Sequence, residues 1–284
     1  VDSMRNWVKP SAADLARAES TGIKEIVRLT SGSWAGRDTC KYMYSVAYDE
    51  VGCFGHASDR NRIGAWAVFG GYDYFNDGPG KQELSAADGV IHIHFGRNHY
   101  NGSSARIAAG ETWSKVYGPW LLYLNTNTAG ASALWADAQA RARAESRAWP
   151  YAWVSGVPEY PPTSQRGSVI GRMEVRDILR PSLAAGTNTW VGLVPQDATH
   201  WQFDSKGYQY WTRARPDGSF YLPHVRPGTY TLSSYTTGAM GEYTRSNIVV
   251  RASQAAALGT LRWDVPRRGS VLAWEIGIPD RSAR

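Results

Sequence analysis

Three of the six histidines in this 284-residue sequence lie within eight residues, in the segment Val90–Tyr100 (VIHIHFGRNHY). They are His92, His94 and His99, and the cationic Arg97 lies between the second and the third. Imidazole changes its charge near neutral pH, so it is the side chain best suited to moving protons there. This segment is therefore the first candidate for a catalytic site.

The same segment has the alternation of a β-strand. Apolar residues alternate with His92 and His94, so a strand would place both histidines on one face and the apolar side chains behind them. His99 then follows a Gly-Arg-Asn bend. We expect a strand whose histidine face borders a cleft.

A metal site is the alternative reading of these histidines. Two histidines one residue apart on a strand, with a third nearby, bind zinc, iron or copper in many β-barrel enzymes. However, no carboxylate lies at ligand spacing from His92, His94 and His99, and Arg97 would repel a cation. The sequence therefore predicts no metal and no cofactor, with a metal-dependent enzyme kept as an alternative.

The charge balance indicates the kind of partner. The net charge is +6 and the pI is near 9.3, which suits a polyanion or simply a soluble basic surface. No lysine-rich run is present, and most basic residues are arginines scattered singly among aromatic residues. This pattern is expected where arginine guanidinium groups bind carboxylates and aromatic side chains stack on sugar rings. An acidic polysaccharide is therefore favoured over nucleic acid. No apolar run approaches the ~20 residues of a membrane span.

The composition predicts an all-β protein. The sequence has 13 Trp, 16 Tyr, 29 Gly and 14 Pro, which favour short strands and turns. One helix is expected over Ser132–Trp149, with Ser132 as its N-cap, a solvent-facing basic side and an end set by Pro150. Strands are expected over Lys24–Leu29, Cys40–Tyr48, Ile63–Phe69 and Trp113–Asn125.

Residues 156–166 are rich in proline and predict a linker between two modules. Residues 167–263 contain short apolar segments at close spacing, as in a small sandwich, with Asp217-Gly218 as a hairpin turn. Residues 264–284 resemble the start of a further module. Because the sequence begins abruptly at Val1 without a signal peptide, we also expect a piece of a longer protein.

Cys40 and Cys53 are the only cysteines. They could form a disulfide across a short hairpin, or they could be two unpaired small residues of the core. Two cysteines do not determine the compartment.

Several motifs, in order along the chain, resemble polysaccharide lyase family 4, the rhamnogalacturonan lyases. The resemblance covers nearly the whole chain. The motifs are KYMYS (Lys41–Ser45), YFNDGPGKQEL (Tyr74–Leu84), NHY (Asn98–Tyr100), GETWSKVYGPWLLYLN (Gly110–Asn125), the helix segment LWADAQARARAESRAWPY and the terminal WEIGIPDRSA.

The resemblance implies a domain organisation. Residues 1–155 would be the later part of a large β-sandwich catalytic domain that ends in the helix. Residues 167–263 would be a fibronectin type III-like β-sandwich, and residues 264–284 the start of a carbohydrate-binding jelly roll. It also implies a secreted enzyme that acts on rhamnogalacturonan I, an acidic plant cell wall polysaccharide, and we expect a monomer.

The implied reaction is β-elimination at the bond between rhamnose and O4 of galacturonate. By the resemblance, Lys41 and His99 are the catalytic pair. We favour Lys41 as the base and His99 as the acid or as the group that positions Lys41, and the reverse assignment stays open. The predicted substrate-binding residues are Arg28, Tyr74, His92, His94, Arg97 and Tyr100.

One departure from the family bears on these roles. Fungal members have tyrosines where this sequence has His92 and His94, so the histidines could replace the phenols as donors to the sugar carboxylate or share the acid/base work. A non-catalytic carbohydrate-binding protein is a further alternative, because aromatic residues such as Trp66 and Trp113 could stack on sugars. A binding module has no need of Lys41 and His99.

Overall fold

The structure is a computed structural model that describes residues 10–23, 26–40, 45–46, 52–76, 78–79, 84–87, 90–93, 104–186 and 188–271. Strands dominate these residues, and one long helix accompanies them, which confirms the all-β prediction. None of the helices in the described part of the chain combines the length and apolar character needed to span a bilayer.

The described residues before 156 form two α-helices, a 3-10 helix at Gly32–Trp34 and a series of short strands. The helices are α1 (Ala12–Ala16) and α2 (Ala131–Ala148). The strands are β1 (Glu19–Ser20), β2 (Ile26–Arg28), β3 (Asp38–Cys40), β4 (Ser45–Val46), β5 (Cys53–Ser58), β6 (Ile63–Phe69), β7 (Leu84–Ala87), β8 (Val90–Ile93) and β9 (Trp120–Thr126).

These strands form three small antiparallel sheets, in the orders β1-β2-β3, β4-β7-β8 and β5-β6-β9. Strand β6 has the predicted bounds, and its residues from Trp66 to Phe69 are buried, as expected for a strand covered on both faces. Helix α2 covers one face, where Leu134 packs against Trp66 and Val68. On the other face Phe69 packs against Phe54 and Phe75.

Helix α2 confirms the predicted helix but corrects its N-cap. The cap is Gly130, not Ser132, and no side chain of the cap residue bonds to the first turn. Instead the carboxylate of Asp59 accepts a hydrogen bond from the backbone N–H of Ala131 at 2.7 Å. A residue 72 positions away thus satisfies a free helix donor. The basic face, with Arg143 and Arg147, is exposed as predicted.

The described residues from 167 onward form a sandwich of two sheets. Strands β10 (Gly167–Arg176), β13 (Ser219–Val225) and β16 (Ala255–Asp264) form one sheet in the order β13-β10-β16. Strands β11 (Thr189–Pro195), β12 (Tyr210–Arg213), β14 (Gly228–Thr236) and β15 (Tyr243–Val250) form the other, in the order β12-β11-β14-β15. Buried side chains from both sheets, including Met173, Leu193, Leu222 and Leu232, form the core between them.

The turn at Asp217-Gly218 is present, but it does not join a paired hairpin. Gly218 has a positive φ of 81°, and its N–H donates to the carbonyl of Arg215 at 2.8 Å. The strands on either side belong to different sheets, because β12 pairs with β11 whereas β13 pairs with β10. The turn therefore carries the chain from one layer of the sandwich to the other.

The strand predicted over Trp113–Asn125 begins only at Trp120. The preceding residues bond to the second sandwich instead of to a neighbouring strand. Lys115 Nζ donates to the carbonyls of Ser205 and Gly207 at 3.1 and 2.6 Å, and the N–H of Val116 donates to the Tyr208 hydroxyl at 2.9 Å. These contacts bind residues 113–119 to the second sandwich.

Cys53 is an unpaired core residue, so the disulfide alternative is not realised in this structure. Its side chain is 1% exposed and packs beneath α2 against Ala142 and Leu134. Burial raises the pKa of the thiol to about 12. Only the thiolate attacks thiol reagents, and at pH 8 a pKa of about 12 leaves about one thiolate per ten thousand molecules.

We therefore expect Cys53 to be inert in the folded protein. In a Cys40→Ser variant, a chromogenic disulfide reagent at pH 8 should label Cys53 only after a denaturant is added. The Cys40→Ser/Cys53→Ser protein is the blank. Rapid labelling without denaturant would show that Cys53 is reached by solvent and that the packing beneath α2 is wrong.

Candidate functional site

The histidine segment begins as the predicted strand. Residues Val90–Ile93 form β8, and Ile91 and Ile93 pack against the core around Phe69 and Phe75, as the alternation predicts. Strand β8 lies at one side of the sheet β4-β7-β8. The apolar residues of this strand thus hold it on the core.

The sheet aligns the histidine strand with the strand that contains the end of the KYMYS motif. Ser45 of β4 is paired with Ser85 of β7, and Ser85 is paired with His92 of β8. Ser45 and His92 therefore lie in one row across the sheet, two strand spacings or about 10 Å apart. In sequence Lys41 comes four residues before Ser45.

Five of the eight predicted site residues lie outside the described part of the chain. They are Lys41, His94, Arg97, His99 and Tyr100. Their roles stay predictions, as does the role of His92, of which the structure describes the strand position. Arg28 and Tyr74 are described in full.

Arg28 lies at the end of β2, directly opposite Asp38 of β3. Its guanidinium binds the Asp38 carboxylate through two nitrogens, with Nε–Oδ1 at 2.8 Å and Nη2–Oδ2 at 3.2 Å. These bonds hold the pKa of Asp38 below its usual value. Both side chains are about half exposed, so the guanidinium of Arg28 faces solvent. Its paired residue Asp38 lies two residues before Cys40, where the described part of β3 ends.

Tyr74 is placed differently from the prediction. Its side chain is 0% exposed and stacks on Phe75, with ring centroids 5.1 Å apart. Burial raises the pKa of its hydroxyl well above the usual value. In this arrangement Tyr74 is a core residue with no face for a sugar, because the apolar core that supports β8 surrounds the ring.

A rhamnogalacturonate lyase from Dickeya dadantii is 31% identical over 225 residues, 78% of this chain and 36% of the relative. Probable rhamnogalacturonate lyases B from Aspergillus terreus and Aspergillus niger are 29% and 26% identical and cover 86% and 98% of this chain. Residues 186–258 match the family described as "Polysaccharide lyase family 4, domain II". The chain belongs to polysaccharide lyase family 4.

The chain spans 36 to 41% of the length of these relatives. The family-4 domain II match falls inside the second sandwich, from just before β11 into β16. The resemblance stated from the motifs is thereby confirmed at the level of the family. The predicted domain boundaries stay predictions.

In this family-4 chain the predicted linker is packed. Tyr160 is buried and its hydroxyl accepts a hydrogen bond from the N–H of Tyr151 at 2.8 Å. Arg166 is buried as well, and its guanidinium reaches Asp73 in the first half of the chain. Aromatic residues of the second sandwich are also packed, and Trp190, Trp201 and Tyr210 are buried.

Sequence reasoning missed the most buried charge cluster of this family-4 chain. Asp73 lies in the loop between β6 and β7 and binds both Arg166 and Arg226. In the sequence, Asp73 is a single aspartate among the aromatic residues of GGYDYF. No local pattern distinguishes it from an aspartate in a surface loop.

Within the described ranges, no group of three or more His, Cys, Asp or Glu residues could hold a metal ion. The alternative of a metal site on His92, His94 and His99 is not tested, because His94 and His99 lie outside those ranges.

Proposed function

We propose that this protein is a secreted rhamnogalacturonan lyase. It would cleave the bond between rhamnose and O4 of galacturonate in rhamnogalacturonan I by β-elimination and leave an unsaturated galacturonate end. The observation that carries the proposal is the similarity to relatives named rhamnogalacturonate lyase in both fungi and a bacterium, over most of this chain.

The β-elimination reaction requires particular groups in the site. The proton on C5 of a uronate is weakly acidic, because the adjacent carboxylate is already negative. A site must therefore neutralise the carboxylate, remove the proton and protonate or stabilise the leaving O4. Cationic side chains and proton carriers are needed together.

The proposed site supplies both kinds of group. Lys41 is the proposed base, and His99 is the proposed acid or the group that positions Lys41. Arg28, Arg97, His92 and His94 are the proposed partners of the sugar carboxylate, together with Tyr100. The row Ser45–Ser85–His92 supports this grouping, because it joins the strand after Lys41 and the strand before His99 in one sheet.

The product of the reaction tests the proposal. Only elimination creates the conjugated, unsaturated uronate, whose carbon–carbon double bond next to the carboxylate gives it an ultraviolet absorbance that the intact polymer lacks. We expect this absorbance to rise when the full-length protein digests rhamnogalacturonan I, with and without a chelator. New reducing ends without the absorbance would show a hydrolase and refute the mechanism.

Two further outcomes separate the alternatives. Loss of activity in the chelator, restored by a divalent metal, would favour the metal-dependent enzyme. Binding of the polymer without cleavage would favour a non-catalytic carbohydrate-binding protein. Homogalacturonan is the matched control substrate, since it has galacturonate without the rhamnose bond and should give no product.

A further inference from the structure

We propose that Asp73 is a positioning residue of this lyase: with Arg166 and Arg226 it fixes the loop between β6 and β7, and through that loop the histidine strand β8. The inference rests on the proposed function and assigns the second sandwich a part in catalysis. Arg166 and Arg226 come from sequence positions 93 and 153 residues beyond Asp73.

The carboxylate of Asp73 is held by two buried cations. Arg166 Nη1 and Arg226 Nε lie 3.1 and 3.2 Å from the same oxygen, Oδ2. The side chains of Asp73 and Arg166 are 3% and 0% exposed, and that of Arg226 is 10% exposed. A shift of the loop would separate the buried carboxylate from its two guanidinium partners, and buried charges without partners are costly, so the cluster opposes movement of the backbone that carries Asp73.

The cluster has two positive charges and one negative charge. Backbone carbonyl groups around the two arginines partly balance the excess positive charge. Arg166 donates to the carbonyls of Pro161 and His224 at 2.9 and 3.0 Å. Arg226 donates to the carbonyl of Glu159. The carbonyls thus supply negative partial charge on several sides of the two guanidinium groups.

Aromatic rings stabilise the same two cations. The Arg226 guanidinium lies 3.6 Å from the ring centroid of Tyr208, and the Arg166 guanidinium lies 4.9 Å from that of Trp149. A planar guanidinium can stack on a ring and still donate in its own plane, which a lysine ammonium cannot do. The cluster therefore requires arginine at both positions.

Further contacts join the same loop to the second sandwich. The N–H of Gln209 donates to the carbonyl of Asp73 at 3.0 Å, and Asn76 Nδ2 donates to Ser205 Oγ at 3.2 Å. Gly78 lies so close to Trp201 that a Cβ there would come within 2.4 Å of the indole ring. The second sandwich thus contacts the loop at Asp73, Asn76 and Gly78.

The held loop forms the support of the histidine strand. Tyr74 and Phe75 follow Asp73 directly, and both belong to the core cluster against which Ile91 and Ile93 pack. A shift of the loop would move this core and the strand β8 above it. Since misplacement of reacting groups by about 1 Å can cost about 100-fold in rate, the loop position should affect catalysis.

The test is Asp73→Asn in the full-length protein, assayed at a temperature at which circular dichroism shows it folded. We expect kcat on rhamnogalacturonan I to fall by about 10- to 100-fold, with KM changed less than about threefold. Hydrogen exchange in peptides covering 84–93 should become faster. Asp73→Glu should recover part of kcat, because it restores the charge.

The matched control is Glu174→Gln, which removes the carboxylate of an exposed pair with Arg262 on the second sandwich. It should change neither kcat nor exchange in 84–93. Ser205→Ala is the milder variant, since it removes the acceptor of Asn76 and keeps every buried charge. It should lower kcat by about three- to tenfold.

The outcomes separate this proposal from the proposed function. Unchanged kcat and unchanged exchange in folded Asp73→Asn would refute the positioning role in an active lyase. Absence of unsaturated product from the wild-type protein would refute the lyase function, and hydrogen exchange would still test whether Asp73 fixes the strand.

Discussion

Replacing Lys41 by alanine is expected to lower the rate of elimination by about 10²- to 10⁴-fold, the usual contribution of a positioned general base. The reason is that Lys41 is the proposed acceptor of the weakly acidic C5 proton, and without it the proton must pass to a group that is not placed to remove it. Replacing His99 by alanine should give a loss of similar size, since an unassisted O4 is a poor leaving group. The initial rate at which the ultraviolet absorbance of the unsaturated uronate rises measures both effects.

The pH dependence of the residual activity assigns the two roles. A base must be deprotonated, so it causes the rate to fall as the pH decreases. The variant that lacks the base should therefore lose this acidic limb of the pH–rate profile, and the variant that lacks the acid should lose the basic limb. The result distinguishes Lys41 as base from the reverse assignment.

Lys206→Ala and His200→Ala are the matched controls, because they remove the same residue types from partly exposed positions. Lys206 forms an ion pair with Glu111, and His200 Nε2 lies 3.3 Å from the Glu242 carboxylate. Partly exposed contacts of this kind contribute little to stability. Both variants should keep nearly full activity. A Lys41→Ala protein as active as these controls would contradict the proposed site.

The parts of the fold that the sequence predicted are those set by local patterns. The apolar run Ile63–Phe69 needed only its length and its flanking glycines to indicate a buried strand, and the strand has those bounds. Helix α2 was predicted within one residue, because its alanines and arginines are good helix formers and Pro150 ends it. The short apolar segments at close spacing in residues 167–263 likewise predict the strands of the second sandwich.

The parts that failed depend on residues far apart in sequence. The segment from Trp113 has strand-like alternation, but its donors bind carbonyls of residues near 206, so no strand forms before Trp120. The local sequence predicts Ser132 as the N-cap of α2, because serine is a common capping residue, whereas the acceptor at this helix end is Asp59. No local pattern contains these contacts.

The same distinction applies to the candidate site. The alternation that placed Ile91 and Ile93 toward the core was readable from the sequence, and the structure confirms it. The family motifs indicated Lys41 and His99 without any geometry. The family resemblance also predicts Tyr74 as a substrate contact, but its ring belongs to the core. Its burial depends on how the β6–β7 loop folds back, which Asp73 determines.

The second large effect concerns stability, and it follows from the charges around Asp73. Asp73→Asn keeps the shape of the side chain but removes the only negative charge in contact with Arg166 and Arg226 among the described residues. Burial lowers the pKa of the Arg226 guanidinium, and the Asp73 carboxylate together with Tyr210 and Tyr208 more than offsets this, so the pKa is raised overall. Without that carboxylate, two buried cations would face each other, and we expect the free energy of unfolding to fall by about 3–5 kcal/mol.

Urea unfolding followed by tryptophan fluorescence measures this loss. Glu174→Gln, which breaks the exposed pair with Arg262, should cost less than about 1 kcal/mol. Adding Arg226→Met to Asp73→Asn should restore part of the stability, because it removes one of the two unpaired cations and leaves a side chain of similar length. Independent, additive losses from the two substitutions would instead mean that Asp73 and Arg226 do not interact, and the buried cluster would then fix neither the loop nor the strand above it.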